Sequence, residues 1–139
     1  MDAHAASGEA VNTDKTGLAL RGYDPVSYFT DAGPQKGDFQ IAAAHEGANY
    51  WFASEENRKK FEADPAKYLP QYGGYCAYGV AIGRKFSADP EVYVIRDGKL
   101  YVNLNKSIAE VFGKDVEGHI DTAEENWPKI AEVPADEIE

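Results

Sequence analysis

The sequence predicts an α+β fold, with two antiparallel β-hairpins, segregated helices and a C-terminal helical extension. Three observations lead there. Alternating segments flank two dipeptides suited to tight hairpins, Glu46-Gly47 and Asp97-Gly98. Apolar residues recur every three or four positions from Ile108 to Ile130, the period of an amphipathic helix. Strands and helical patterns do not alternate one by one, as a parallel α/β sheet would require.

The elements follow in order. Residues 1–17, which include His4, lack large apolar anchors beyond Met1 and Val11 and read as a flexible lead-in. Asp24 followed by Pro25 is an N-cap residue with proline at the first helical position, so a short helical turn starts there. Phe39, Ile41, Ala43 and His45 alternate with less apolar neighbours, and a two-residue Glu46-Gly47 loop pairs them with 48–52. That loop sets Ile41 opposite Phe52, Ala43 opposite Tyr50 and His45 opposite Ala48. Ser54 caps a helix running to about Asp64, with Glu55–Lys59 and Glu56–Lys60 spaced for ion pairs. Pro65 starts another turn that carries Tyr68 and Leu69 inward. Between Tyr72 and Gly83 glycine is dense enough to disfavour a regular helix. The second hairpin pairs 92–96 with 99–104, with Tyr93, Ile95, Leu100 and Val102 as its core face. Gly113 breaks the C-terminal helical pattern and Asp115 recaps it. One domain spans 18–130, and 131–139 reads as an acidic tail.

Of 139 residues, 43% are apolar and 27% charged, ordinary values for a globular chain. No stretch approaches the roughly 20 apolar residues of a membrane-spanning helix. With 14 basic and 24 acidic residues the net charge is −10, which argues against nucleic acid or an anionic membrane as partner. Residues 105–139 hold three lysines and ten carboxylates, so most of the imbalance lies there. A single cysteine, Cys76, excludes an internal disulfide framework. The small-residue start suits an exported protein, periplasmic or secreted, whose signal peptide is replaced by Met1.

Asp24-Pro25-Val26, the first hairpin and the run Tyr50-Trp-Phe-Ala-Ser-Glu-Glu-Asn-Arg-Lys-Lys-Phe-Glu-Ala-Asp-Pro-Ala-Lys-Tyr68 together resemble the YHS domain. This small module occurs in copper-transporting ATPases and some bacterial multicomponent monooxygenases. The resemblance covers about residues 18–70, leaving 71–130 as an extension similar to that of stand-alone, secreted YHS proteins. It implies metal binding, copper first, through cysteines. The matching positions here are Ser27, Ala53 and Asn57, so that thiolate set is missing.

Cys76 remains as a soft donor for Cu(I) or Zn(II), with His45 as imidazole partner. The competing explanation is a small buried residue in a tightly packed bend. Tyr75 and Tyr78, with Tyr28 and Arg84 as neighbours, are the candidate walls of a ligand pocket around Cys76. The first functional expectation is therefore a metal- or small-ligand-binding protein. A protein-interaction or accessory module is the alternative, and a cysteine-dependent enzyme is a third reading without a supporting signature.

Overall fold

The computed structural model describes residues 9–139, and His4 lies outside the described residues. The α+β expectation holds. Two antiparallel hairpins form separate two-stranded sheets: β1 (Asp38–His45) with β2 (Ala48–Phe52), and β3 (Asp89–Arg96) with β4 (Lys99–Asn103). Helices α1 (Glu55–Ala63) and α2 (Pro65–Tyr68) follow the first hairpin. Helix α3 (Ala77–Ala81) precedes the second, and α4 (Lys106–Gly113) and α5 (Val116–Ile130) close the chain.

Local chemistry places most element ends as expected. Asp24 accepts hydrogen bonds from the Val26 and Ser27 amides at the start of the 3-10 turn Pro25–Phe29. Ser54 caps α1 through the Asn57 amide, and Asp115 caps α5 through that of Gly118. On α1, Glu56 pairs with Lys60 at 3.6 Å, but Glu55 takes Arg58 at 2.7 Å in place of Lys59.

Both hairpins turn through two left-handed residues, Glu46-Gly47 (φ 49° and 85°) and Asp97-Gly98 (φ 54° and 75°). Their twist matches that of the strands they join. Near the turn the first hairpin keeps the expected register, His45 with Ala48 and Ala43 with Tyr50. Beyond it a bulge intervenes, and Phe52 pairs with Asp38, not with Ile41. Asp38 Oδ1 accepts the Gln40 amide at 2.8 Å, removing that amide from the ladder. Asp89 does the same to the Glu91 amide at 2.9 Å, where β3 carries its own bulge. The first bulge turns Phe39 outward, 67% exposed, with its ring edge-on to Trp51.

Two cores result. The first gathers Tyr23, Val26, Tyr28, Tyr50, Phe52, Phe61 and Tyr68 together with Leu100 and Val102 of β4. The second joins Tyr72, Tyr75, Val80, Phe112 and Ala123 to Tyr101, with Trp127 packed against it. Strand β4 thus buries both faces, whereas its pattern predicts one core face; the helices of the extension need a wall, and Tyr101 supplies it. Tyr93, expected in the core, is 38% exposed.

Three further expectations change. The Tyr72–Gly83 stretch includes the helix α3, with Cys76 as its N-cap. Residues 131–139 are docked: Ala135 packs against the second core, and the Ile138 carbonyl accepts the Lys85 amide at 3.3 Å. Of the lead-in, residues 9–17 are held as well, through bonds from Asn12, Asp14 and Gly17. Among the described residues no helix is long and apolar enough to cross a membrane.

Candidate ligand site

Cys76 is fully buried, and its sulfur accepts the amides of Gly79 (3.4 Å) and Leu104 (3.2 Å) while donating to Asn103 Oδ1 at 3.4 Å. Asn103 Oδ1 also accepts the Tyr78 amide. Cysteine and asparagine together tie the start of α3 to the end of β4. Burial pushes the thiol pKa up, more than the amides around it pull it down. A neutral, enclosed thiol is neither a ready ligand nor a nucleophile.

His45 is elsewhere. It lies at the end of β1, its ring edge-on to Phe61 at 5.8 Å and its Nε2 3.5 Å from Glu46 Oε2. Among the described residues no group of three or more His, Cys, Asp or Glu side chains could hold a metal ion. The Cys76–His45 copper or zinc pair therefore has no supporting geometry.

The expected tyrosine pocket is also dispersed. Tyr28 belongs to the first core, where its hydroxyl donates to the Pro90 carbonyl at 2.6 Å. Tyr75 belongs to the second, and Tyr78 sits edge-on to His119. Arg84 is exposed, with its amide bound to the Gly79 carbonyl. Two cavities lie elsewhere, and neither is lined by Cys76 or by any of these four.

The larger cavity, about 220 Å³, opens at the seam between the two cores. Ala10, Val11, Leu69, Pro70, Gly73 and Trp127 give it apolar walls, while His45, Glu46 and Tyr50 supply its polar side. Tyr50 is only 2% exposed, yet its hydroxyl has no hydrogen-bond partner among the described residues. Tyr50 itself lines the cleft. Burial raises its pKa, and the Glu46 carboxylate adds to the rise. The phenol stays protonated at neutral pH, able to donate and to accept. A smaller cavity, about 100 Å³, is lined by Asn12, Thr13, Asp14, Arg21, Gly74 and Ser87 among others.

One residue without any sequence signal braces the seam. Lys85 is fully buried; its ammonium donates to the carbonyls of Glu9, Ala131 (3.0 Å) and Val133 (2.7 Å) and lies over the rings of Tyr75 and Trp127. Burial lowers its pKa, while the carboxylates of Glu9 and Glu132 oppose the fall.

The three positions where the family resemblance places cysteines do converge. Asp24, fully buried, accepts the amides of Ser27 (3.3 Å) and Ala53 (2.7 Å) and the Asn57 side-chain nitrogen (2.8 Å), besides the Val26 amide. The Ser27 hydroxyl donates to the Asp24 carbonyl and accepts the Gln35 amide. Every group there is already paired and none is a soft donor, so this set does not fit copper.

No family model matches the chain, and no curated protein and no solved structure is similar to it.

Proposed function

We propose that this chain is a small-ligand-binding protein, and that its site is the cleft lined by His45, Glu46, Tyr50, Leu69, Pro70 and Trp127. The observation that carries the reading is Tyr50, an almost wholly buried ring that lines the cleft and whose hydroxyl has no hydrogen-bond partner among the described residues. A phenol facing such a cleft can both donate to and accept from the polar group of a ligand. A cleft between packed layers, mostly apolar with a few converging polar groups, is the ordinary form of a small-molecule site.

The walls indicate the ligand class. Trp127, Leu69, Pro70 and Val11 favour a flat apolar body, and Glu46 with the Tyr50 oxygen favours a donor head. The net charge of −10 biases that head towards a cation. The ligand proposed is therefore a small aromatic or alicyclic amine. Benzylamine, benzyl alcohol and benzoate share one ring and differ only in head group. Their affinities should fall in that order, and Tyr50→Phe should weaken benzylamine about ten-fold, the worth of one hydrogen bond. Equal binding of all three, or an unchanged Tyr50→Phe, removes the reading.

The YHS resemblance remains a proposal for the first half of the chain, supported by the meeting of Ser27, Ala53 and Asn57 around Asp24. Placement outside the cytoplasm is likewise proposed, since an enclosed lone thiol tolerates an oxidising compartment; cell fractionation checks it.

A further inference from the structure

We infer that residues 10–14 form a strap that divides one continuous cleft into the two cavities, and that local opening of this strap admits the ligand. The inference rests on the ligand reading of the larger cavity.

Consecutive residues on both sides of the divide change cavities together. Ala10, Val11 and Gly73 line the larger space, while Asn12, Thr13, Asp14 and Gly74 line the smaller one. The partition is thus the crossing of Val11–Asn12 over Gly73–Gly74. Two hydrogen bonds close it, from the Asn12 amide to the Gly73 carbonyl (2.8 Å) and from Asn12 Nδ2 to the Gly74 carbonyl (3.2 Å). Upstream, the Glu9 carbonyl accepts from Lys85 and, at 3.4 Å, from the Tyr75 hydroxyl.

Beyond the crossing the strap is tied down by polar contacts alone: a bridge between Thr13 and Ala19, the Asp14 amide on the Leu18 carbonyl, and Asn12 Nδ2 at 3.5 Å from Ser87 Oγ. Val11 is its one sizeable apolar residue and is only partly buried, so the crossing depends on polar bonds near the surface, the profile of a segment that opens locally. The floor beneath is specialised for the contact. Tyr72, Gly73 and Gly74 are all left-handed (φ 58°, 62° and 83°), and a methyl on Gly73 would lie 1.8 Å from the Ala10 carbonyl oxygen. Across the smaller cavity Leu20 and Arg21 are left-handed too, at φ 54° and 50°. Sparsely populated backbone on both walls marks ground that the fold maintains at a cost, as it does around sites that move or bind. Lifting the strap would join the spaces and add Arg21 and Ser87 to the wall of the site.

The test needs no ligand. Amide exchange in the full chain should show Asn12 opening at least about 100-fold more often than Tyr101, whose amide pairs with Val94 in the second hairpin, because Asn12 opens locally while Tyr101 waits for global unfolding. In Gly73→Ala the Asn12 protection should fall by a further ~10-fold, and a neutral gadolinium chelate should broaden the Trp127 indole signal more than in the unmodified protein. If Gly73→Ala does not fold, Asn12→Ala, which adds no atoms, carries the same expectation. Exchange of Asn12 in step with Tyr101, or a folded variant with an unchanged Trp127 signal, overturns the strap. The strap would stand and the ligand reading fall if these signals appeared while benzylamine failed to bind; the reverse outcome would leave the ligand site without its strap.

Discussion

Asp24 shows how much of this fold depends on single side chains. Its carboxylate is fully buried and takes four N–H donors, drawn from the Pro25–Phe29 turn, the end of β2 and helix α1. Hydrogen bonds to a charged acceptor are worth about 1.5–3 kcal/mol each, and donors left buried and unpaired add their desolvation cost. Asp24→Ala should therefore lower the unfolding free energy by about 3 kcal/mol or more, read as a fall in the urea midpoint at unchanged slope. A loss below about 1 kcal/mol would mean that water replaces the carboxylate at no great cost. The N-cap role of Asp24 is legible from Asp-Pro alone. Its reach to Ala53 and Asn57 is not, because those contacts are made only after the hairpin folds back.

Buried acids of another kind set the pH response. Tyr28, Tyr50, Tyr72 and Cys76 all have pKa values raised by burial above their ordinary 10.0 and 9.0. Once the pH passes those ordinary values, the unfolded chain has lost protons that the native chain keeps, so stability falls as pH rises. Lys85 works in the other direction, since its pKa is lowered from 10.5 and the unfolded chain holds that proton longer. Tyr23, Tyr75 and Tyr101 are raised as well, so seven groups oppose one. The urea midpoint should be level through neutrality and decline from about pH 9 upwards. A midpoint as high at pH 10.5 as at pH 7 would show that these phenols and the thiol are not buried as described.

At the scale of elements, backbone conformation decides the effect of otherwise identical substitutions. Gly98 and Gly113 both have open space where a methyl would go, but Gly98 is left-handed at φ 75° and Gly113 is not. Gly98→Ala should cost about 1 kcal/mol, and Gly113→Ala, at the end of α4, should gain about 0.5 kcal/mol. Calorimetric melting temperatures moving in opposite directions would bear this out, and a shared sign would contradict it. The hairpin turns, the Ser54 and Asp115 caps and the break at Gly113 are legible because each depends on residues a few positions apart. The bulges, the helix α3 and the docking of 131–139 are not. Asp38 and Asp89 look like ordinary polar positions until their neighbours' amides leave the ladder. Helix α3 exists because Asn103, distant in sequence, accepts the Tyr78 amide and the Cys76 thiol.

For the whole molecule the decisive fact is that two cores share one strand pair, Leu100 and Val102 facing one and Tyr101 the other. Where the cores meet beside the first hairpin they leave the cleft, with Lys85 bracing the Tyr75 and Trp127 side. His45 is the single sequence candidate that reaches this cleft. Cys76, the most conspicuous residue in the sequence, went into structure because a small thiol caps α3 and β4 together. Tyr50 and Trp127 read simply as core residues, and nothing in spacing distinguishes a ring that fills a core from one that walls a cavity. The burial of Lys85 is not legible because its three acceptors are backbone carbonyls, which composition does not reveal.

The most direct measurement is a titration of the isotope-labelled full chain with benzylamine, followed by amide and indole chemical shifts. Saturable changes should concentrate at His45, Tyr50, Leu69, Gly73 and the Trp127 indole, with Cys76 and Tyr28 unmoved. Shifts scattered over the acidic C-terminal surface, or centred on Cys76, would contradict it.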